Sequence, residues 1–150
     1  MKAWEIARLI EEQAPPRGSD EGFRFGSPNV EVSGVLVCWM CTLEAVRRAV
    51  EERSNLIVTH EELHYPYSFR SPGLEQHLTW PVNHARLTAL AKHDITVYRA
   101  HGMLDRFCIL DDFGRMLGLP EASVREDYYR VYDIDPVTVS ELVQQVKAAT

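Results

Sequence analysis

Two short runs of the chain carry ligand-type side chains: His60, Glu61, Glu62, Leu63 and His64 in one, His101, Gly102, Met103, Leu104 and Asp105 in the other. Each follows an apolar stretch of strand length, Leu56–Thr59 and residues 95–100. Imidazole nitrogen and carboxylate oxygen together suit zinc, manganese, iron or nickel, whereas calcium prefers cages made of oxygen alone. If the two apolar runs are neighbouring parallel strands, about 5 Å apart, side chains leaving their carboxyl ends at one level can share a divalent metal ion. A polar residue leaving the core is the plainer explanation for any one of these side chains. Their recurrence at two strand ends is what favours a site.

The remaining candidates have simpler explanations. His64 could reach the same site from a loop or merely cover it, and His77, His84 and His93 look like surface or helix-flank residues. Asp111 and Asp112 form a carboxylate pair that could do acid–base work but would equally cap the helix carrying Phe113, Met116 and Leu117. Cys38, Trp39, Met40 and Cys41 spell a C-x-x-C between a strand and a helix, the arrangement that lowers a thiol pKa in redox proteins. A four-cysteine zinc site would need a second such pair, and Cys108 alone does not supply it. Small buried hydrophobes at a strand end are the alternative.

The elements that must position these groups follow from apolar spacing. Trp4, Ile6, Ala7, Leu9 and Ile10 recur at helical intervals, predicting a helix over 2–13 stopped by Pro15 and Pro16. Residues 17–28 read as a loop, 32–37 as a β-branched strand, and 43–53 as a helix capped by Thr42. After the strand Leu56–Thr59, residues 60–80 lack a clear period and form a long loop, a kind of segment that in compact domains is usually functional or disordered. Pro81 suits a first helical turn, with Leu87, Leu90 and Ala91 on one face before the strand at 95–100. Residues 101–112 open a loop or helix start, 113–119 look helical up to Pro120, 128–132 form an edge strand, and Thr138 with Glu141 makes a capping box for a last helix. Helices alternating with strands predict an α/β fold, a layered α/β/α arrangement on a largely parallel sheet, as a single domain over 1–150.

Composition narrows the function classes. A chain of 150 residues with 45% hydrophobic and 25% charged residues is an ordinary globular one. Its net charge of −6 and scattered Lys and Arg argue against a nucleic-acid polymer as partner. No apolar run reaches the roughly 20 residues a membrane span needs, and the amphipathic, acidic amino terminus is unlike a signal peptide. Three cysteines are not a secreted disulfide framework, so reduced thiols and a cytoplasmic location are expected.

Three segments together resemble a known family. N-L-I-V-T-H, D-I-T-V-Y-R-A-H-G-M-L-D and the closing Y-D-I-D-P-V-T-V-S-E-L-V-Q-Q-V-K are similar, in order and spacing, to the Nif three-like (NGG-interacting factor three) proteins, also called GTP cyclohydrolase I type two. The second segment resembles that family's D-I-A-V-Y-A-A-H-T-N-L-D. The resemblance covers nearly the whole chain and implies layered α/β halves around a dinuclear metal centre, often in a homo-oligomeric ring. It further implies His60, Glu61 and Asp105 as the metal ligands of the first half. Glu61 stands where the family more often has a second histidine, and Met40 replaces an aspartate usual after the first strand. Family members complete the site with a histidine and a glutamate from a second half, so the chain is expected to match the first half alone.

From this the expected function is that of a metal-dependent, hydrolase-like protein. His60, Glu61 and Asp105 would hold a divalent ion, and His101 would orient or transfer a proton beside it, acting on a small-molecule or nucleotide substrate. The alternative is a non-enzymatic metal-binding or regulatory module whose surface recruits another chain, with assembly into a homo-oligomer expected in either case.

Overall fold

Leu56–Thr59 is buried at all four positions because it lies inside a four-stranded sheet with neighbours on both sides. The structure, a computed structural model, describes residues 1–14, 21–65 and 74–149. Two compact units, Met1–Met103 and Leu104–Thr150, divide the chain. The first unit contains α1 (Ala3–Gln13), β1 (Gly22–Phe25), β2 (Val35–Cys38), α2 (Leu43–Glu51), β3 (Leu56–Thr59), α3 (Leu74–Leu78), α4 (Pro81–Lys92) and β4 (Thr96–Arg99). The sheet order is β1-β4-β3-β2; β2, β3 and β4 run parallel, and β1 joins β4 antiparallel at the edge.

Alternation along the strands separates two faces. Leu36, Ile57 and Val97 lie in one register row, and with Val46 and Ala49 of α2 and Leu90 of α4 they form the main core. Val58 and Tyr98 share a row on the opposite face, where the Tyr98 hydroxyl donates to Glu11 of α1 at 2.8 Å and Phe23 packs edge-on against the Tyr98 ring. This unit is therefore a layered α/β fold on a largely parallel sheet, as the sequence predicts. On β2 the second face stays open: Val37 is 73% exposed.

The boundaries differ from expectation where local bonds compete. Residues 32–34 do not extend β2, because Val32 N–H donates to the Met1 carbonyl at 2.9 Å and Ser33 N–H to the Asn55 side-chain oxygen at 2.8 Å. Helix α2 ends before Arg53, whose φ of 57° is left-handed and incompatible with another helical turn. The predicted loop at 17–28 contains β1. Its glycines obscured two inward aromatic residues, Phe23 and Phe25, which a bulge places on opposite faces. At Gly26, with φ 79°, a Cβ would stand 2.7 Å from the Thr96 backbone, so only glycine lets β1 approach β4 here. The stop at Pro15 and Pro16 lies outside the described residues.

The long segment at 60–80 includes the short helix α3, and its described part is tied down by α4. Asn83, buried on α4, accepts from the Tyr65 N–H at 2.8 Å and donates to the carbonyls of Tyr65 and His77 at 2.7 and 2.8 Å. Arg86 donates to the Leu63 carbonyl at 3.0 Å. A side-chain amide thus replaces strand pairing that the loop lacks.

The second unit follows with α5 (Gly102–Leu104) at its boundary, a π-helical turn (Asp105–Ile109), α6 (Leu110–Met116), the hairpin β5 (Val124–Glu126) and β6 (Tyr129–Val131), and α7 (Val139–Ala149). The expected edge strand at 128–132 is the second strand of this small hairpin. Asp111 accepts from Arg130 Nε at 2.8 Å and from Arg125 at 2.7 Å, so it fastens the hairpin to α6 rather than capping it. The capping box is formed: Glu141 N–H donates to the Thr138 hydroxyl at 3.2 Å, and the Thr138 N–H donates to the Glu141 carboxylate at 2.8 Å. Among the described residues no helix is long and apolar enough to cross a membrane.

Candidate metal centre

The register of the parallel strands continues past their ends. Cys38 pairs with Thr59 and Thr59 with Arg99, so the chain next reaches Trp39, His60 and Ala100 at the ends of the three strands, with Glu61 and His101 one residue further on. Backbone bonds hold this extension. His60 N–H donates to the Cys38 carbonyl at 3.2 Å, Glu61 N–H to that of Trp39 at 2.8 Å, and Ala100 N–H to that of Thr59 at 2.9 Å. Parallel pairing thereby carries two imidazoles and a carboxylate to one rim of the sheet.

His60, Glu61 and His101 each offer one ligating atom, and those atoms all lie within 4.8 Å of one another. His60 Nδ1 is 3.7 Å from a Glu61 oxygen, and the His60 and His101 rings meet edge-on with centroids 4.6 Å apart. His60 is buried, while Glu61 and His101 are half-buried. Two neutral imidazole nitrogens and one carboxylate are a donor set that fits zinc, manganese, iron or nickel, so these residues suit the divalent ion the sequence implies.

Behind the cluster lies a buried ion network absent from the sequence expectations. Glu62 is 4% exposed; its carboxylate lies 3.4 Å from Arg24 Nε and 3.6 Å from Arg99 Nη1, and it accepts the Leu63 N–H at 2.8 Å. Burial alone would raise the Glu62 carboxyl, but His64 at 3.7 Å, the Leu63 N–H, Arg24 and Arg99 together hold it below its ordinary range. Arg99 also donates through Nε to the His60 carbonyl at 3.0 Å, so this charge-neutralised arginine anchors the backbone of a candidate ligand. The available signal was a charged residue, Arg99, within an otherwise apolar strand pattern.

The other histidines are not among the three clustered residues. His64 faces Glu62, His77 packs edge-on against Trp80, and His84 and His93 are exposed on or beside α4. Asp105 is half-buried at the start of the π-helical turn and belongs to the second unit. His101, expected to orient or transfer a proton, has a ring nitrogen close enough to ligate. Burial pushes the Cys38 thiol up, with a Thr59 hydrogen bond offsetting part of the shift. Burial and the nearby Cys38 push Cys41 up to about 12, against a weaker opposing effect of Arg86. Neither thiol has the lowered pKa that redox pairs use.

A family model described as Duf34/NIF3 (NGG1p interacting factor 3) matches residues 1–150. A "GTP cyclohydrolase 1 type 2 homolog" of Staphylococcus aureus (strain MRSA252) is 30% identical over 111 residues, 70% of this chain and 28% of that protein. Its counterpart in Clostridium acetobutylicum is 25% identical over 130 residues, 83% of this chain and 46% of its own length. The chain thus spans less than half of these curated relatives. Among solved structures, a hypothetical protein of Staphylococcus aureus superposes with TM-score 0.69 at 27% identity, over 83% of this chain and 35% of that one. Reduced HcgD from Methanocaldococcus jannaschii gives TM-score 0.73 at 23% identity over 99% and 60% of the two chains, a likeness of fold alone.

Proposed function

Because the chain belongs to the Duf34/NIF3 (NGG1p interacting factor 3) family, we propose that it is a divalent-metal protein with hydrolase-like chemistry, in which His60, Glu61 and His101 hold the ion. The observation that carries this is the convergence of their three ligating atoms within 4.8 Å. When bound there, the ion supplies a Lewis acid that polarises a substrate oxygen and acidifies water. The chain's own residues set the geometry: Arg99 fixes the His60 backbone, and the Trp39 carbonyl fixes that of Glu61. The His101 ring meets the His60 imidazole edge-on. A small molecule or nucleotide is the substrate class, supported by the name the Staphylococcus aureus relative carries.

Metal analysis of purified protein tests this. Wild type is expected to carry zinc, manganese, iron or nickel, and His60→Ala and His101→Ala are each expected to lose at least about tenfold in metal affinity. Unchanged metal content in both variants would overturn the assignment. A second reading, a non-enzymatic metal module that assembles with a second copy, draws support from the open face of β2 at Val35 and Val37. A stable assembly by light scattering, without turnover of GTP or phosphoesters by the metal-loaded protein, would favour that reading.

A further inference from the structure

The Trp39 side chain is not among the three candidate ligands, yet its position is tightly determined. Its ring stacks on the His60 imidazole with centroids 4.0 Å apart and planes 14° from parallel. Its carbonyl accepts the Glu61 N–H at 2.8 Å and the Thr59 hydroxyl at 3.4 Å. Even with one face against His60 the residue is 56% exposed, so the far face of the indole meets solvent beside the cluster. An exposed tryptophan is common on protein surfaces; one locked by ring stacking and backbone bonds, at the mouth of a polar cluster, is a preformed apolar platform.

We infer that Trp39 is the stacking platform for a planar nitrogen heterocycle of the substrate, seated next to His60, Glu61 and His101; this rests on the metal site proposed above. The π-face of indole is electron-rich and favours offset stacking with such rings. A single aromatic face of this kind contributes about tenfold or more in affinity, because every flat base presents a π-face to it. Purine-type bicycles match the indole in size, and a ligand without a ring forfeits the contact.

The test uses the manganese-loaded protein and two probes that differ only by the base, guanosine 5′-monophosphate and ribose 5-phosphate, compared by calorimetry. Wild type is expected to bind the base-bearing probe about tenfold tighter. Trp39→Ala should erase that difference while manganese content stays, and Trp39→Phe should restore most of it. Equal affinity for both probes in wild type, or no binding of either, overturns the platform. So does loss of manganese in Trp39→Ala, which would make Trp39 a support for His60. A change of oligomeric mass in that variant would make it an interface residue and would likewise overturn the proposal. Failure of the metal site has a different signature: manganese retained in His60→Ala, with the Trp39-dependent preference for the base intact.

Discussion

His60 is restrained through its backbone: the Cys38 carbonyl receives its N–H at 3.2 Å, and Arg99 Nε donates to its carbonyl at 3.0 Å. Immobilising a ligand this way removes the ordering cost that metal binding would otherwise carry. Arg99→Lys keeps the charge facing Glu62 but loses the planar fork that reaches the His60 carbonyl. The expected outcome is a folded protein with about tenfold weaker metal affinity, measured by competition with a chelating dye. An affinity equal to wild type would show that this anchor is dispensable. Cys41 gives a second prediction at this scale. It is fully buried and its thiol is pushed up to about 12, so it should resist a thiol-modifying reagent in native protein at pH 8 and react only on unfolding. Rapid native labelling, or a reductant-dependent change in its reactivity, would restore the redox alternative.

Helix α4 and the β5–β6 hairpin illustrate how polar side chains hold elements together. Replacing Asn83 with Ala leaves the Tyr65 N–H and two carbonyls without their partner, and about 1–3 kcal/mol of stability should be lost in urea unfolding. In the second unit, Arg130 above all, with Arg125, holds the Asp111 carboxyl below its ordinary range. The folded state therefore binds the Asp111 proton less tightly than the unfolded chain. This contribution is complete above the unfolded value, about 3.9, and is lost as pH falls through the depressed folded value. Asp111→Asn should lower the urea midpoint at pH 6, with the gap to wild type narrowing towards pH 2; a gap that widens on acidification would contradict the pairing. Elements defined by local chemistry were legible in advance. Thr138 with Glu141, the Thr42 cap, Pro81 at a first turn and the apolar run Leu56–Thr59 each carry their signal within a few residues. What escaped depends on distant partners. β1 pairs along the edge of β4, Val32 and Ser33 are diverted to the amino terminus and the Asn55 side chain, and α3 lies in a stretch without periodicity.

At the scale of the whole molecule, the candidate site exists because parallel pairing is in register. Thr59 and Arg99 are 40 residues apart in sequence and paired in the sheet, and Glu61 and His101 each follow two residues beyond that pair. That convergence was legible from two apolar runs ending in ligand-type residues. The Glu62, Arg24 and Arg99 network and the Trp39 stack were not, because charge burial and ring packing are properties of the assembled core. An ion that binds the folded state alone adds about 2.7 kcal/mol at a hundredfold excess over its Kd, so metal should raise the Tm of wild type by roughly 5–10 °C. His60→Ala should show no such rise. The most direct measurement is X-ray absorption on zinc-loaded protein. The account predicts the multiple-scattering signature of two imidazoles with zinc–nitrogen distances of about 2.0–2.1 Å, reduced to one imidazole in His101→Ala. A shell of oxygen alone, or a spectrum unchanged by that substitution, would contradict it.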